Sequence, residues 1–169
     1  MPKGIIPNLN NTSVQEEASI SSSAYNNIDK RKLKIDIGAS EFTLTDGSEL
    51  DNYININSQY VKNYIEPQID SNQDNSTLNI FFNTQSPRNI FFWGRKETVF
   101  NLVTGLDNIN TDIDITLGAG KGSVDLDTLS TESISCDVGA GRLDMTINNS
   151  SIPSKLDINI GAGEFNLSI

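Results

Sequence analysis

Four stretches of this chain repeat one pattern: an alternating strand runs into Gly-Ala-Gly or Gly-Ala-Ser, and a second alternating strand follows. They are Leu33 to Leu44 (LKIDIGASEFTL), Ile113 to Val124 (IDITLGAGKGSV), Ile134 to Met145 (ISCDVGAGRLDM) and Leu156 to Leu167 (LDINIGAGEFNL). From Gly118 to Gly139 is 21 residues and from Gly139 to Gly161 is 22, a period of the kind solenoids use. Gly38 stands 80 residues before Gly118, which leaves room for strands outside the repeat.

Within each unit the apolar residues fall at every second position, as in Leu33, Ile35 and Ile37 or Ile134, Cys136 and Val138. Polar residues lie between them. Period-two alternation rich in β-branched residues is the mark of a half-buried strand. The corner residues are Gly38-Ala39-Ser40, Gly118-Ala119-Gly120, Gly139-Ala140-Gly141 and Gly161-Ala162-Gly163. Glycine there permits a positive φ or a close approach between stacked backbones. A phosphate-cradling loop needs a helix after the glycines, and here another strand follows each time. The expectation is a structural turn. Stacking the units puts Ile35, Ile115, Cys136 and Ile158 in one inward column, which makes Cys136 a small buried hydrophobe.

The chemistry available is narrow. The chain of 169 residues has no histidine and one cysteine, which removes the commonest general base and any intrachain disulfide or thiolate cluster. No catalytic group, metal site or cofactor is expected. With 12 Lys and Arg against 22 Asp and Glu, the formal net charge of -10 argues against nucleic acid and gives no attraction to anionic membranes. No apolar run is long enough to span a bilayer. Asp112, Asp114, Asp125, Asp127, Asp137, Asp144 and Asp157 fall mostly on outward positions and lack the Gly-Gly-x-Gly-x-Asp spacing of a calcium-binding roll. They read as solvated charge that protects strand edges.

Outside the units, short strands are expected within Ile20–Ile28, Tyr53–Asn57, Gln59–Ile65, Thr77–Asn83 and Asn89–Trp93, and from Val99 to Val103. Turns are expected over Asp70–Ser76 and at Ser86-Pro87. This region holds most of the aromatics. They read as the core of a cap over one solenoid end. Alternatively, the consecutive Phe91, Phe92 and Trp93 leave at least one ring outside as a binding surface.

The units DITLGAGKGSVDL, SCDVGAGRLDM and DINIGAGEFNL resemble the rungs of the toast-rack domain family. They are also similar to those of the related LiaF-type cell-envelope stress proteins and bacterial putative adhesins. KLKIDIGASEFTL resembles that family's N-terminal strand pair, with Ser40 in place of the second glycine. The resemblance implies an extracytoplasmic, envelope-associated bacterial domain without known catalysis, its leader or anchor lying outside this chain. A cytoplasmic location is the alternative.

The expected architecture is all-β: a single-stranded β-solenoid-like stack of GAG rungs packed on an N-terminal antiparallel β subdomain. A flexible lead-in covers 1–15, the N-terminal subdomain 16–104 and the repeat solenoid 105–169, together one continuous unit. Three functions compete: a regulatory or binding module for an envelope protein, an adhesin-like or wall-glycan-binding domain, and an element that self-associates through an open rung edge.

Overall fold

Among the described residues, the alternation resolves into thirteen strands, with a 3-10 turn at Ser22–Ala24. The computed structural model describes residues 13–47, 50–62, 65–85, 98–148 and 151–169. The strands are β1 (Ser13–Ser21), β2 (Lys30–Ile37), β3 (Glu41–Asp46), β4 (Asn52–Val61), β5 (Glu66–Asp74), β6 (Thr77–Gln85) and β7 (Val99–Thr104). They continue as β8 (Asn110–Leu117), β9 (Lys121–Leu126), β10 (Thr131–Val138), β11 (Arg142–Ile147), β12 (Lys155–Ile160) and β13 (Glu164–Ser168). They form a seven-stranded sheet A, in the order β1-β4-β7-β3-β9-β11-β13, and a six-stranded sheet B, in the order β5-β6-β2-β8-β10-β12.

Each Gly-Ala-x corner carries the chain from sheet B to sheet A, so one unit is one rung with a strand in each sheet. The rung β2/β3 stacks directly on β8/β9: Ile35 pairs with Ile115 and Thr43 with Ser123, both in parallel register. The strands that lie between these rungs in sequence, β4 to β7, therefore sit on the other side of β2/β3. There, β6 pairs in parallel with β2 and β7 with β3. These two strands make a fifth rung, and the sequence between them holds no Gly-Ala-x motif, so it escapes a search for one. Antiparallel pairing is confined to β1 and β4 beyond β7 and to β5 beyond β6.

Between the sheets, the inward residues align in columns. Phe82, Ile35, Ile115, Cys136 and Ile158 form one of them. Fully burying such a side chain stabilises the fold by about 1.5–3 kcal/mol. Phe82 meets Phe100 of the opposite sheet edge-on, with ring centroids 5.4 Å apart. Gly122 sits between Phe42 and Leu143 in the corresponding sheet A column, where an added Cβ would overlap the Phe42 ring. Its missing side chain leaves the space that the Phe42 ring fills.

No described glycine has a positive φ. Close approach alone accounts for the corners. A Cβ on Gly118 would stand 2.6 Å from the Gly38 carbonyl oxygen, and one on Gly139 2.7 Å from that of Gly118. On Gly120 it would overlap the Ser40 carbonyl oxygen. Glycine is thus required in a rung that stacks on another corner. Ser40 supplies the carbonyl under Gly120 and can itself keep a side chain, which is buried.

Three local expectations shift. The strand sought in Ile20–Ile28 lies at Ser13–Ser21, because Ser21 caps the 3-10 turn by accepting from the Ser23 amide. Tyr53–Asn57 and Gln59–Ile65 merge into the single strand β4. The turn expected over Asp70–Ser76 is mostly strand β5, an edge strand whose polar residues hide its alternation. The expected Asn89–Trp93 strand and the Ser86-Pro87 turn lie outside the described residues.

Arg31 shares the inward parity of Leu33 and is fully buried. Its Nη1 donates to the Tyr53 and Gly105 carbonyl oxygens at 2.8 and 2.7 Å. Nε and Nη2 donate to Thr111 Oγ1, which in turn donates to the Ile109 carbonyl. A buried cation survives only when its donors are satisfied this way. Burial pulls its pKa down to about 10, which leaves it protonated at neutral pH.

Candidate functional site

The corners come first, because a run of glycines could bind an anion. The first two amides of each stacked corner are already spent: Gly118 N–H donates to the Ile37 carbonyl at 2.8 Å and Ala119 N–H to that of Gly38 at 2.7 Å. Gly139 and Ala140 repeat this on Leu117 and Gly118, and Gly161 and Ala162 on Val138 and Gly139. At the first corner, Gly38 N–H donates to Thr84 Oγ1 at 3.1 Å. The arrangement welds rungs together and leaves these amides no ligand to hold.

Cys136 is equally occupied by structure. It is buried in its column, and burial, aided by the Asp114 charge, pushes its thiol up to about 12. A thiol so placed is not a nucleophile at neutral pH. Among the described residues, no group of three or more His, Cys, Asp or Glu side chains could hold a metal ion.

What the fold offers is its faces. Strand register places the outward residues of sheet A in rows at the strand spacing of about 4.8 Å. The middle row runs Glu17, Asn57, Asn101, Thr43, Ser123, Asp144, Asn166, one residue from each of the seven strands. It spans about 29 Å, six strand spacings. The neighbouring row is Ser19, Asn55, Val103, Thr45, Asp125, Thr146 and Ser168. These short amide and hydroxyl side chains lose little entropy on binding and offer both donors and acceptors. Thr43 Oγ1 donates to Asn101 Oδ1 at 2.8 Å, and Asn166 Nδ2 to Asp144 Oδ1 at 2.8 Å, so parts of the row are already ordered. Hydrogen bonds from Arg142 and Asn166 hold the Asp144 carboxyl below its ordinary range. A shallow groove crosses β1, β4 and β7, lined by Glu17, Ser19, Asn55, Asn57, Asn101 and Val103 among others.

Sheet B is different. Lys30 bridges Asp112 at 2.9 Å and Glu132 at 2.8 Å, and Lys34 stands 4.0 Å from Asp114. These contacts run from β2 to β8 and β10, and among the described residues the exposed aromatic of sheet B, Phe81, lies in register with Lys34 and Asp70.

A carboxylate clamp closes the far side of the stack. Asp46, at the end of β3, accepts from the amides of Asp127, Thr128 and Leu129 and from the Thr128 hydroxyl. Burial alone would raise its pKa, but these hydrogen bonds outweigh that and hold it below its usual value. Phe91, Phe92 and Trp93 lie outside the described residues. The unit alignment already superposes Thr43, Ser123, Asp144 and Asn166. It could not reach Asn101, Asn57 and Glu17, whose strands carry no corner.

Residues 9–168 match the family model described as the N-terminal domain of toast_rack, DUF2154. The chain belongs to this toast_rack family. No curated protein matches this toast_rack chain. Among solved structures, a "putative cell adhesion protein" from Clostridium sporogenes shares the fold. Its TM-score is 0.71 at 13% identity, over 93% of this chain and 99% of the other. A "putative adhesin" from Bacteroides fragilis is 12% identical over 92% of this chain and 97% of its own, with a TM-score of 0.31. A "putative lipid binding protein" from Parabacteroides distasonis is also 12% identical, over 95% and 98% respectively, with the same TM-score. No helix among the described residues of the toast_rack domain is long and apolar enough to cross a membrane.

Proposed function

We propose that this toast_rack domain is a non-catalytic binding module of the bacterial cell envelope, which recognises a protein partner through the outer face of sheet A. The observation that carries the reading is the pair of rows crossing all seven strands. They make a surface of small, mostly uncharged polar groups, whose ion pairs gather at one end, where Arg142 meets Asp144 and Glu164. Flat solenoid faces suit extended protein contacts. The name of the Clostridium sporogenes protein, which shares the fold, is in keeping with adhesion or binding rather than with a reaction. The envelope setting follows from the family resemblance, and an extracytoplasmic location goes with it.

The test is retention of solubilised envelope proteins by the immobilised chain, compared with an Asn57→Arg/Ser123→Arg variant. The reading expects a stoichiometric protein in the eluate that the variant no longer holds. Equal retention by the variant sinks the sheet A assignment.

A second reading, an adhesin-like domain that binds wall glycan, rests on the exposed Phe81 of sheet B, since a lone ring on a polar face is a stacking platform for a sugar. Unchanged pull-down of wall polysaccharide by Phe81→Ala removes the support for it.

A further inference from the structure

Among the described residues, no strand covers the rung β12/β13. Of the six exposed large hydrophobics among the described residues, five lie in 152–169, including Leu156 at 36%, Ile160 at 42% and Leu167 at 39% exposure. Their counterparts in the rung beneath, Ile134, Val138 and Met145, are buried. An apolar patch edged by two unpaired strands is a docking surface. The other end of the stack is a poorer partner. The edge strands β1 and β5 carry Glu16, Glu17, Glu66, Asp70 and Asp74 without a basic residue, and Pro67 lacks an amide to donate.

We propose that the open end binds a second copy of itself, rung to rung about a twofold axis, with β12 antiparallel to the partner's β12 and β13 to the partner's β13. The sequence of the rung allows one axis to satisfy both strands. Ile158 and Asn166 each lie four residues from Ala162 at the centre of the corner. An axis through these two positions sets Leu156 against the partner's Ile160, Ile158 against the partner's Ile158, and Phe165 against the partner's Leu167. All of these are column residues, so the pairing seals both cores at once. Outside, Asp157 faces the partner's Asn159, Glu164 the partner's Ser168, and Asn166 the partner's Asn166. No like charges meet, whereas shifting β12 to centre on Asp157 would oppose two aspartates. Residues 151–169 hold one Lys, one Asp and one Glu, so the end is close to neutral on a chain of net charge -10. Self-association is therefore least opposed here.

Sedimentation equilibrium of the full chain tests this, against the monomer mass of 18.5 kDa. The expected result is a concentration-dependent dimer of twice that mass. Asn166→Arg, at an exposed position, sets two guanidinium groups face to face on the axis and weakens the dimer at least tenfold, while its circular dichroism spectrum stays unchanged. Asn159→Lys places an ammonium opposite the partner's Asp157 and tightens the dimer several-fold at low salt, an effect that high salt erases. In the shifted register that same lysine would face the partner's Lys155 and weaken it. A monomer at every concentration, a dimer indifferent to Asn166→Arg, or an open-ended polymer overturns the proposal.

Discussion

The two ends of this molecule are finished differently. At one end β1, β4 and β5 reverse the strand direction, Arg31 pins β2 to the carbonyls of Tyr53 and Gly105, and the edge strands are acidic. At the other, the rung β12/β13 repeats the pattern beneath it and leaves its apolar columns half exposed. A solenoid rung buries its column only when another rung covers it, so equal sequences can be core in the middle and surface at an end.

The largest effect should come from the pinned end. Arg31→Ala orphans two carbonyls and opens a cavity, at an expected cost of about 3–5 kcal/mol. Leu156→Ala at the open end should cost about 1–2 kcal/mol, since about a third of that residue stays in water. Urea midpoints of the two variants, taken at a concentration where the chain is monomeric, measure the contrast directly. Similar losses would dissolve it.

A graded series follows along the corners. Gly120→Ala forces a methyl into the Ser40 carbonyl and should cost about 2–3 kcal/mol. At Gly161 the Cβ would stand 3.0 Å from the Gly139 carbonyl, in a rung free to shift, and Gly161→Ala should cost about 1 kcal/mol. Thermal melts of the pair will show whether stiffness declines towards the open end.

Asp46 adds a pH test. Its folded pKa lies below the ordinary value of 3.8, so its stabilisation is complete above that value and is lost as pH falls through the folded pKa. Partial exposure screens the effect, and about 1 kcal/mol is expected. Asp46→Asn should be less stable near neutrality, and its stability should fall less steeply than that of the parent in acid. Parallel pH profiles would exclude the clamp.

The smallest effect is a null: Cys136 should resist alkylation at pH 8 in the folded chain and react at once in denaturant. Rapid native labelling would mean the middle rungs open as readily as the end.

Much of this was legible beforehand because a rung writes itself twice, in alternation and in glycine. The inward column through Ile35, Ile115, Cys136 and Ile158 is alternation alone. The rung β6/β7 stayed hidden because the sequence between its strands has no Gly-Ala-x motif, and β5 because Ile69 is its only large apolar residue. Arg31 sits at an inward position that parity could have disclosed, but a charge masks the pattern there. The rows on sheet A depend on which strands become neighbours, and that order does not follow the chain.

That order has a consequence for synthesis. The rung β2/β3 is made early yet ends in the interior, between strands that start at Thr77 and Asn110. A nascent chain therefore holds two sticky edges open until both later segments emerge and find their places on either side. Growth cannot proceed by adding rungs in the order of translation. Such long-range closure predicts slow folding and an aggregation-prone interval, during which chaperone capture of the growing chain would matter most.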